Sequence, residues 1–380
     1  MRNTLFAWML IALTACSGSE SSEQYLLRAK EHLATADYKA ATIELKNALR
    51  LDANAAEARW LLGKLYLELG EVQSAEKELQ RAQELGWQVD EIYPALAQAR
   101  LMQGKFDEVL DLDHQVLAPI PASDLLASQA LAELAQGNAE QAGRVVALAL
   151  KKYPSSIPAK IAEARLLAGQ GDATGSLIVL EEVLESDSDN ADAWRLKGDV
   201  LMQLQDLEEA RDAYAQSIEH ARFAFGDRVK RALVNIQLQD YEAAQSDADE
   251  LLRAAPQHPV ANYVQGLLNF QNKAYPEAIT ALSVAEPIAN QYPHILFYLA
   301  SAHLMEGNAD RATQFARRFV NRVPDNVNGR KLLATLSLQQ GESRQAREVI
   351  QPVLDANPDD VEALNIMANA QLVEGQTDQG

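Results

Sequence analysis

Small and apolar positions recur along this chain with one long period. Two windows make it visible: AEARWLLGKLYLELGEVQSAEKELQRAQELG from Ala56, and ADAWRLKGDVLMQLQDLEEARDAYAQSIEHA from Ala191. Each carries a small residue in its first apolar stretch and an alanine twelve residues later. Used as a ruler, the small residue falls at Ala29, Gly63, Ala97, Ala130, Ala164, Gly198, Ala232, Gly266, Ala300, Ala334 and Ala368. Every step is 34 residues except Ala97 to Ala130, which is 33. Alanine, leucine and glutamate dominate, and they favour helices. Glycines suited to ending a helix stand midway through most units, at Gly70, Gly104, Gly137, Gly171, Gly307, Gly341 and Gly375. The spacing therefore predicts two antiparallel helices per unit. The ruler residue lets the second helix approach, and the alanine twelve on is its matching contact.

A 34-residue period with W-x-x-L-G-x-x-Y, then A-x-x-x-F, then proline resembles the tetratricopeptide repeat. The second unit carries Leu62, Gly63, Tyr66, Ala75 and Ala82; the sixth carries Trp194, Gly198, Ala210 and Tyr214. Pro154, Pro256, Pro324 and Pro358 stand at the closing position of their units. The resemblance covers residues 23–380 and implies an all-α, right-handed α-solenoid of antiparallel helix pairs, with ten complete repeats and a truncated eleventh. Neighbouring units bury each other's apolar faces, and the first helices line a concave face. Some positions depart from the pattern. Ser176 replaces the alanine in unit five, and Gln205, Gln239 and Lys273 replace the turn glycine in units six to eight. Pro119 and Pro121 crowd the shortened step, which reads as a bend or subdomain boundary. A solenoid needs a polar cap on its last face, whereas the sequence stops in QLVEGQTDQG, which reads as a fragment of a longer protein.

The N-terminus follows different rules. One positive charge at Arg2 precedes the apolar run Leu5 to Leu13, too short to span a bilayer but the length of a secretory h-region. The sequence Leu13-Thr14-Ala15-Cys16 that follows resembles the lipobox of bacterial lipoproteins. That resemblance implies a signal peptide over 1–15, cleavage before Cys16, and acylation of the thiol and the new amino group. Two or more acyl chains make a stable anchor. Cys16 is the only cysteine, so it has no disulfide partner. Residues 16–22 are small and polar, as a flexible tether should be. Ser17 resembles the outer-membrane sorting signal, placing the body in the periplasm of a Gram-negative envelope. The competing reading is a secreted protein with a stray thiol. A formal net charge of −20 argues against nucleic acid, and against an anionic lipid surface bound by charge.

No catalytic constellation stands out, and the reading is of a protein that is not an enzyme, with no cofactor and no metal. His32, His114, His220, His258, His294 and His303 form no metal-ligand pair. Glu185 to Asp192, ESDSDNAD, lacks the glycine and terminal glutamate of an EF-hand loop and reads as a helix-capping turn. Function is left to the concave face. By register, the tetratricopeptide resemblance implies partner contacts at Trp60, Lys64 and Leu67; Arg195, Asp199 and Met202; Tyr263, Leu267 and Phe270; and Phe297, Ser301 and Leu304. Tyr263, Phe270 and Phe297 read as an aromatic run for a peptide or sugar face, against the plainer reading of packing between units. Arg317, Arg318, Arg322, Arg330 and Lys331 form a basic island, suited to an anionic partner such as an acidic polysaccharide or simply balancing nearby acids.

The opening units go further. Behind the lipobox, IELKNAL, AEARWLLGKLYLELG and SAEKEL resemble the repeat lipoproteins of the PEP-CTERM/exosortase system. That family is associated with exopolysaccharide production and with sorting of PEP-CTERM proteins. The resemblance implies a membrane-tethered scaffold holding protein partners of an envelope export machine. Outer-membrane protein assembly and type IV pilus assembly stand as alternatives. So do a glycan-binding module and an enzyme whose catalytic domain follows Gly380.

Overall fold

The computed structural model describes residues 20–221 and 224–377, and Cys16 with the signal-like segment lies outside them. Among the described residues every regular element is helical. The first helices of successive units are α1 (Ser22–Ala34), α3 (Ala56–Glu68), α5 (Val89–Met102), α7 (Pro119–Ala135), α9 (Ile157–Gly169), α11 (Ala191–Leu204), α13 (Phe225–Gln237), α15 (Pro259–Gln271), α17 (His294–Met305), α19 (Val327–Gln339) and α21 (Val361–Thr377). The second helices are α2 (Tyr38–Leu51), α4 (Val72–Glu84), α6 (Phe106–Leu110), α8 (Ala139–Lys152), α10 (Ala173–Ser186), α12 (Leu207–His220), α14 (Tyr241–Ala254), α16 (Tyr275–Ala285), α18 (Ala309–Arg322) and α20 (Ser343–Ala356). Helix α1 starts inside the expected tether. Ser21 Oγ accepts from the Gln24 N–H at 3.2 Å, and Gln24 Oε1 accepts from the Ser21 N–H at 2.8 Å.

The ruler residues do what their spacing demands. A Cβ added at Gly63 would lie 2.7 Å from Leu79 Cγ, and one at Gly198 would lie 2.6 Å from Tyr214 Cε1. The contact twelve residues on is buried in all ten units that have it, including Val109 and Ser176. Ser176 Oγ finds no partner there. The turns between paired helices share one geometry whether or not glycine is present. Gly70 sits at φ 72°, and Gln205, Gln239 and Lys273 sit at 64°, 62° and 59°. Each turn closes with a bond from the residue after the left-handed one, such as Asp206 N–H to Leu201 O at 3.0 Å and Glu71 N–H to Tyr66 O at 2.8 Å. Gly375 differs from expectation, lying inside α21.

The third unit is shorter than its sisters. Its second helix, α6, stops at Leu110. A longer helix would bring Asp113 against Ala97, where sister units bury Leu45, Leu79, Leu180 or Ile350. A carboxylate cannot be buried there without a partner. Asp113 instead stays exposed and caps a short 3₁₀ turn, accepting from the Gln115 N–H at 2.8 Å. The carbonyls freed by the early stop are met by Gln129 of α7, whose amide donates to Leu112 O at 2.9 Å and reaches Leu110 O at 3.3 Å. Pro119 opens α7, so the proline-rich link marks a shortened unit.

The superhelix closes on itself. The Ala224 N–H donates to Tyr38 Oη at 3.0 Å, across 186 residues. The Tyr38 and Phe225 rings lie 6.3 Å apart, and Phe225 meets the His258 ring edge-on at 4.7 Å. His258 Nε2 bonds to the Leu69 carbonyl. One apolar core runs through this seam, joining Leu33, Tyr38 and Leu69 of the first two units to Phe225, Val229 and Leu251 of the seventh.

Candidate functional site in the concave face

The concave face divides into two parts. Over units two to seven it is charged, with Lys64, Arg195 and Asp199 half-buried. Over units eight and nine it is aromatic and half-buried.

In the charged part, most residues expected to meet a partner are engaged with neighbouring units. Trp60 is buried and stacks on Trp87 at 5.5 Å, with neither indole N–H finding an acceptor. The Lys64 ammonium lies 5.4 Å from the centre of the Trp60 ring, and Leu67 is buried. Arg195 donates to Asp227 at 2.6 and 3.1 Å and to Asp192 at 2.6 Å. Asp227 is 1% exposed and also accepts from Ser217 Oγ at 2.7 Å. Asp199 accepts from Tyr214 Oη at 2.8 Å and from Lys230 at 2.6 Å, and Met202 is half-buried beside them. The acidic link before α11 is a capping turn, with Asn190 accepting from the Ala193 N–H at 2.9 Å.

Three further charged groups on first helices, each half-buried, were not singled out by the sequence: Glu68, Asp124 and Arg165. None makes a hydrogen bond or ion pair among the described residues. Enclosure pushes the Glu68 carboxyl up to about 7; Arg195 across the lumen pulls it down and Asp227 pushes it further up. Enclosure also lifts Asp124 to about 6, with Asp192 adding to it, and holds Arg165 below its usual value. Glu68 in unit two thus feels charges from units six and seven, which only a closed superhelix brings near. Arg165 stands one residue past its ruler, as do Lys64 and Asp199, so the register could have found it. At the seam, burial holds the His258 imidazole below its usual value, its Nδ1 being without a partner.

In the aromatic part, Tyr263 does not form one surface with Phe270 and Phe297. It is buried against Tyr292 at 5.6 Å, and Leu267 is buried beside it. Phe270 and Phe297 are half-buried and joined through Tyr298, at 5.1 and 5.6 Å, both edge-to-face. Phe297 also meets Phe319 at 5.4 Å. Ser301 and Leu304 remain half-exposed on the same helix.

The basic island is not one patch. Arg330 donates to Pro324 O and Val349 O at 2.5 and 2.9 Å, and Lys331 pairs with Asp360 and Glu362 at 2.9 and 3.0 Å. Arg318 pairs with Glu286 at 2.6 Å, and Arg317 reaches Glu342 at 3.9 Å. Arg322 is exposed. Four of the five cations thus serve neighbouring acids or carbonyls. No described group of three or more His, Cys, Asp or Glu residues is placed to hold a metal ion. No described helix is long and apolar enough to cross a membrane.

Stacked antiparallel helix pairs in one register, with first helices lining a common face, define a helical-repeat scaffold. The tetratricopeptide repeat family matches residues 161–225 and 229–293 in one form and 32–86 and 303–370 in another, together more than half of the chain. The chain belongs to the tetratricopeptide repeat superfamily. Such repeats are typically non-catalytic scaffolds that hold protein partners. No curated protein matches the sequence. Among solved structures, the APC/C hetero-tetramer Cut9–Hcn1 is similar at a TM-score of 0.51 and 12% identity, over 93% of this chain and 96% of that one. The pilF protein of Pseudomonas aeruginosa is similar at 0.49 and 20% identity, over 61% of this chain and 99% of that one. PilW, described as a type IV pilus biogenesis factor, reaches 0.48 at 17% identity, over 55% and 96% of the two chains. The first of these likenesses shows the fold alone.

Proposed function

We propose that the protein is a periplasm-facing scaffold, anchored by lipid at Cys16 to the outer membrane, that holds protein partners for exopolysaccharide production and PEP-CTERM protein sorting. The observation that carries the reading is the join of Leu13-Thr14-Ala15-Cys16-Ser17 to an uninterrupted repeat register. The anchor concentrates the body at one surface, and the repeats offer a long face without chemistry of their own. Labelling of cells with a tagged palmitate tests the anchor. The protein should take up label and fractionate with the outer membrane, and Cys16→Ser should take up none. An unlabelled wild-type protein sinks the anchored reading. Capture of the lipidated protein from gently solubilised membranes then names the machine. Polysaccharide synthesis, export or sorting components support the proposal. Outer-membrane or pilus assembly components keep the scaffold and move it elsewhere. Retention on a polysaccharide column, lost in Phe270→Ala with Phe297→Ala, would favour glycan binding.

A further inference from the structure

We propose that the outer face of α18 is a docking strip for an acidic, extended segment of a partner protein. The inference rests on the scaffold reading and names the chemistry of one partner, at a place that reading does not use. Helix α18 is a second helix, so the strip lies away from the concave face that the first helices line. Its exposed positions from Arg311 to Arg322 are Arg311, Gln314, Arg317, Arg318, Asn321 and Arg322. On a regular helix these six fall within an arc of about 140° and run for about 16 Å. Four are cations and none is an acid, in a chain whose formal net charge is −20. Asp310, one residue earlier, accepts from the Gln340 amide at 3.3 Å. The same register positions on sister helices carry the opposite charge, with Glu181, Glu182 and Glu185 on α10 and Glu209, Asp212 and Glu219 on α12.

Charge balance within the chain accounts for only half of the strip's cations. Arg318 pairs with Glu286 at 2.6 Å and Arg317 reaches Glu342 at 3.9 Å, with all four side chains a third or more exposed. Ion pairs that wet contribute little and are readily exchanged for another carboxylate. Arg311 and Arg322 make no ion pair among the described residues. Beside Arg311, Arg317 and Arg318 the surface sinks into a hollow of about 380 Å³, with the buried side chains of Thr313 and Phe315 in its lining. The Arg318 guanidinium lies 5.4 Å from the centre of the Phe315 ring, a contact that keeps it at the hollow. The occupant follows from what the strip offers. A guanidinium fork meets a carboxylate through two parallel bonds, and arginine clusters are a recurring means of reading acidic motifs. Gln314 and Asn321 add donors and acceptors that suit a peptide backbone. No large apolar side chain is exposed on the strip, so it has neither the anchor of a folded interface nor an open ring for a sugar. An extended segment of about five residues matches its length.

The test needs neither membrane nor assembly machine, so its failure is distinct from failure of the scaffold reading. The full chain, purified in mild detergent, is titrated with fluorescent poly-L-glutamate at about 50 mM salt, where screening is weak. Arg311→Gln with Arg322→Gln removes the two cations that have no internal pair, and both are exposed, so helix packing is untouched. Binding should weaken about tenfold, the size expected of two exposed ion pairs lost together. A control pair, Arg144→Gln with Arg253→Gln, removes the same charge from exposed positions on α8 and α14 and should bind as the wild type does. A wild-type chain that ignores poly-L-glutamate, or a control pair that weakens binding as much, overturns the proposal. So does a preference for polygalacturonate that the Arg311 and Arg322 substitutions abolish, or self-association in sedimentation that they abolish, since either names a different occupant.

Discussion

Units five to seven and units eight and nine share one ruler but fill their concave faces differently. In units five to seven the inward positions carry Arg165, Arg195, Asp199 and Asp227, tied by ion pairs or left half-buried without one among the described residues. In units eight and nine they carry Tyr263, Phe270 and Phe297, tied by ring contacts. The register sets how helices pair. It leaves the inward positions free, and each stretch uses most of them to stack unit on unit before any reaches a partner. The charged stretch depends on geometry and ionisation; the aromatic stretch depends on volume.

Deleting the central group of each stretch gives the largest effects. Phe319 is fully buried against Phe297 and His294, so Phe319→Ala should cost about 4 kcal/mol through the cavity it leaves. Asp227→Ala should cost about 3 kcal/mol, because it leaves the Arg195 guanidinium short of its buried partner. Repeats touch mainly their neighbours, so each loss should stay local. Hydrogen exchange should show faster opening of α17 to α19 in the first variant and of α11 to α13 in the second. Equal loosening of both stretches in either variant would mean that they form one cooperative unit.

A smaller effect separates the stretches by pH. Glu68 has its folded value raised to about 7 from an ordinary 4.5, and Asp124 is raised to about 6 from 3.8. For a carboxyl with a raised folded value, the stabilising share is fully present below its unfolded value and is lost as pH rises through the folded one. For Glu68 the loss thus falls between about pH 4.5 and 7. Allowing for its partial solvent contact, it amounts to about 2 kcal/mol. His258 acts in the opposite direction, since its lowered value favours the closed seam above its ordinary 6.5. The informative quantity is therefore the difference between wild type and Glu68→Gln. Exchange protection of α3 should match at pH 4 and favour Glu68→Gln at pH 8, while α17 shows no such difference. A pH-independent difference would place Glu68 in solvent.

The helix pairs were legible because packing repeats. Gly63, Gly198 and Gly266 are small for a reason that acts within one unit, and a period exposes it. The short α6 was less legible, although Asp113 at a position filled elsewhere by apolar side chains was the available sign. Tyr263, Phe270 and Phe297 share a register face, but register does not show that Tyr292 and Tyr298 fill the space between them. The seam left no local sign at all. Tyr38 opens its helix as Tyr241 and Tyr275 open theirs, and only the accumulated rotation of seven units brings it to Phe225.

The smallest effect tests whether the turns know which stretch they belong to. Gln205, Gln239 and Lys273 sit in the left-handed region, which costs a side chain about 1 kcal/mol or more. Glycine removes that strain, but its looser unfolded chain offsets part of the gain. Gln239→Gly and Lys273→Gly should each stabilise by about 0.5–1 kcal/mol. Gln205→Gly should gain less, because Gln205 Nε2 also donates to Met202 O at 3.1 Å. The measurement is the denaturant midpoint of each single variant. Gln239 ends a helix of the charged stretch and Lys273 one of the aromatic stretch, yet their turns share one geometry. Equal gains would show that the turn is set by its own helix pair, whatever lies on the concave face. A gain at Lys273 alone would mean that closure of the charged stretch, and not the pair, holds Gln239 in its strained conformation.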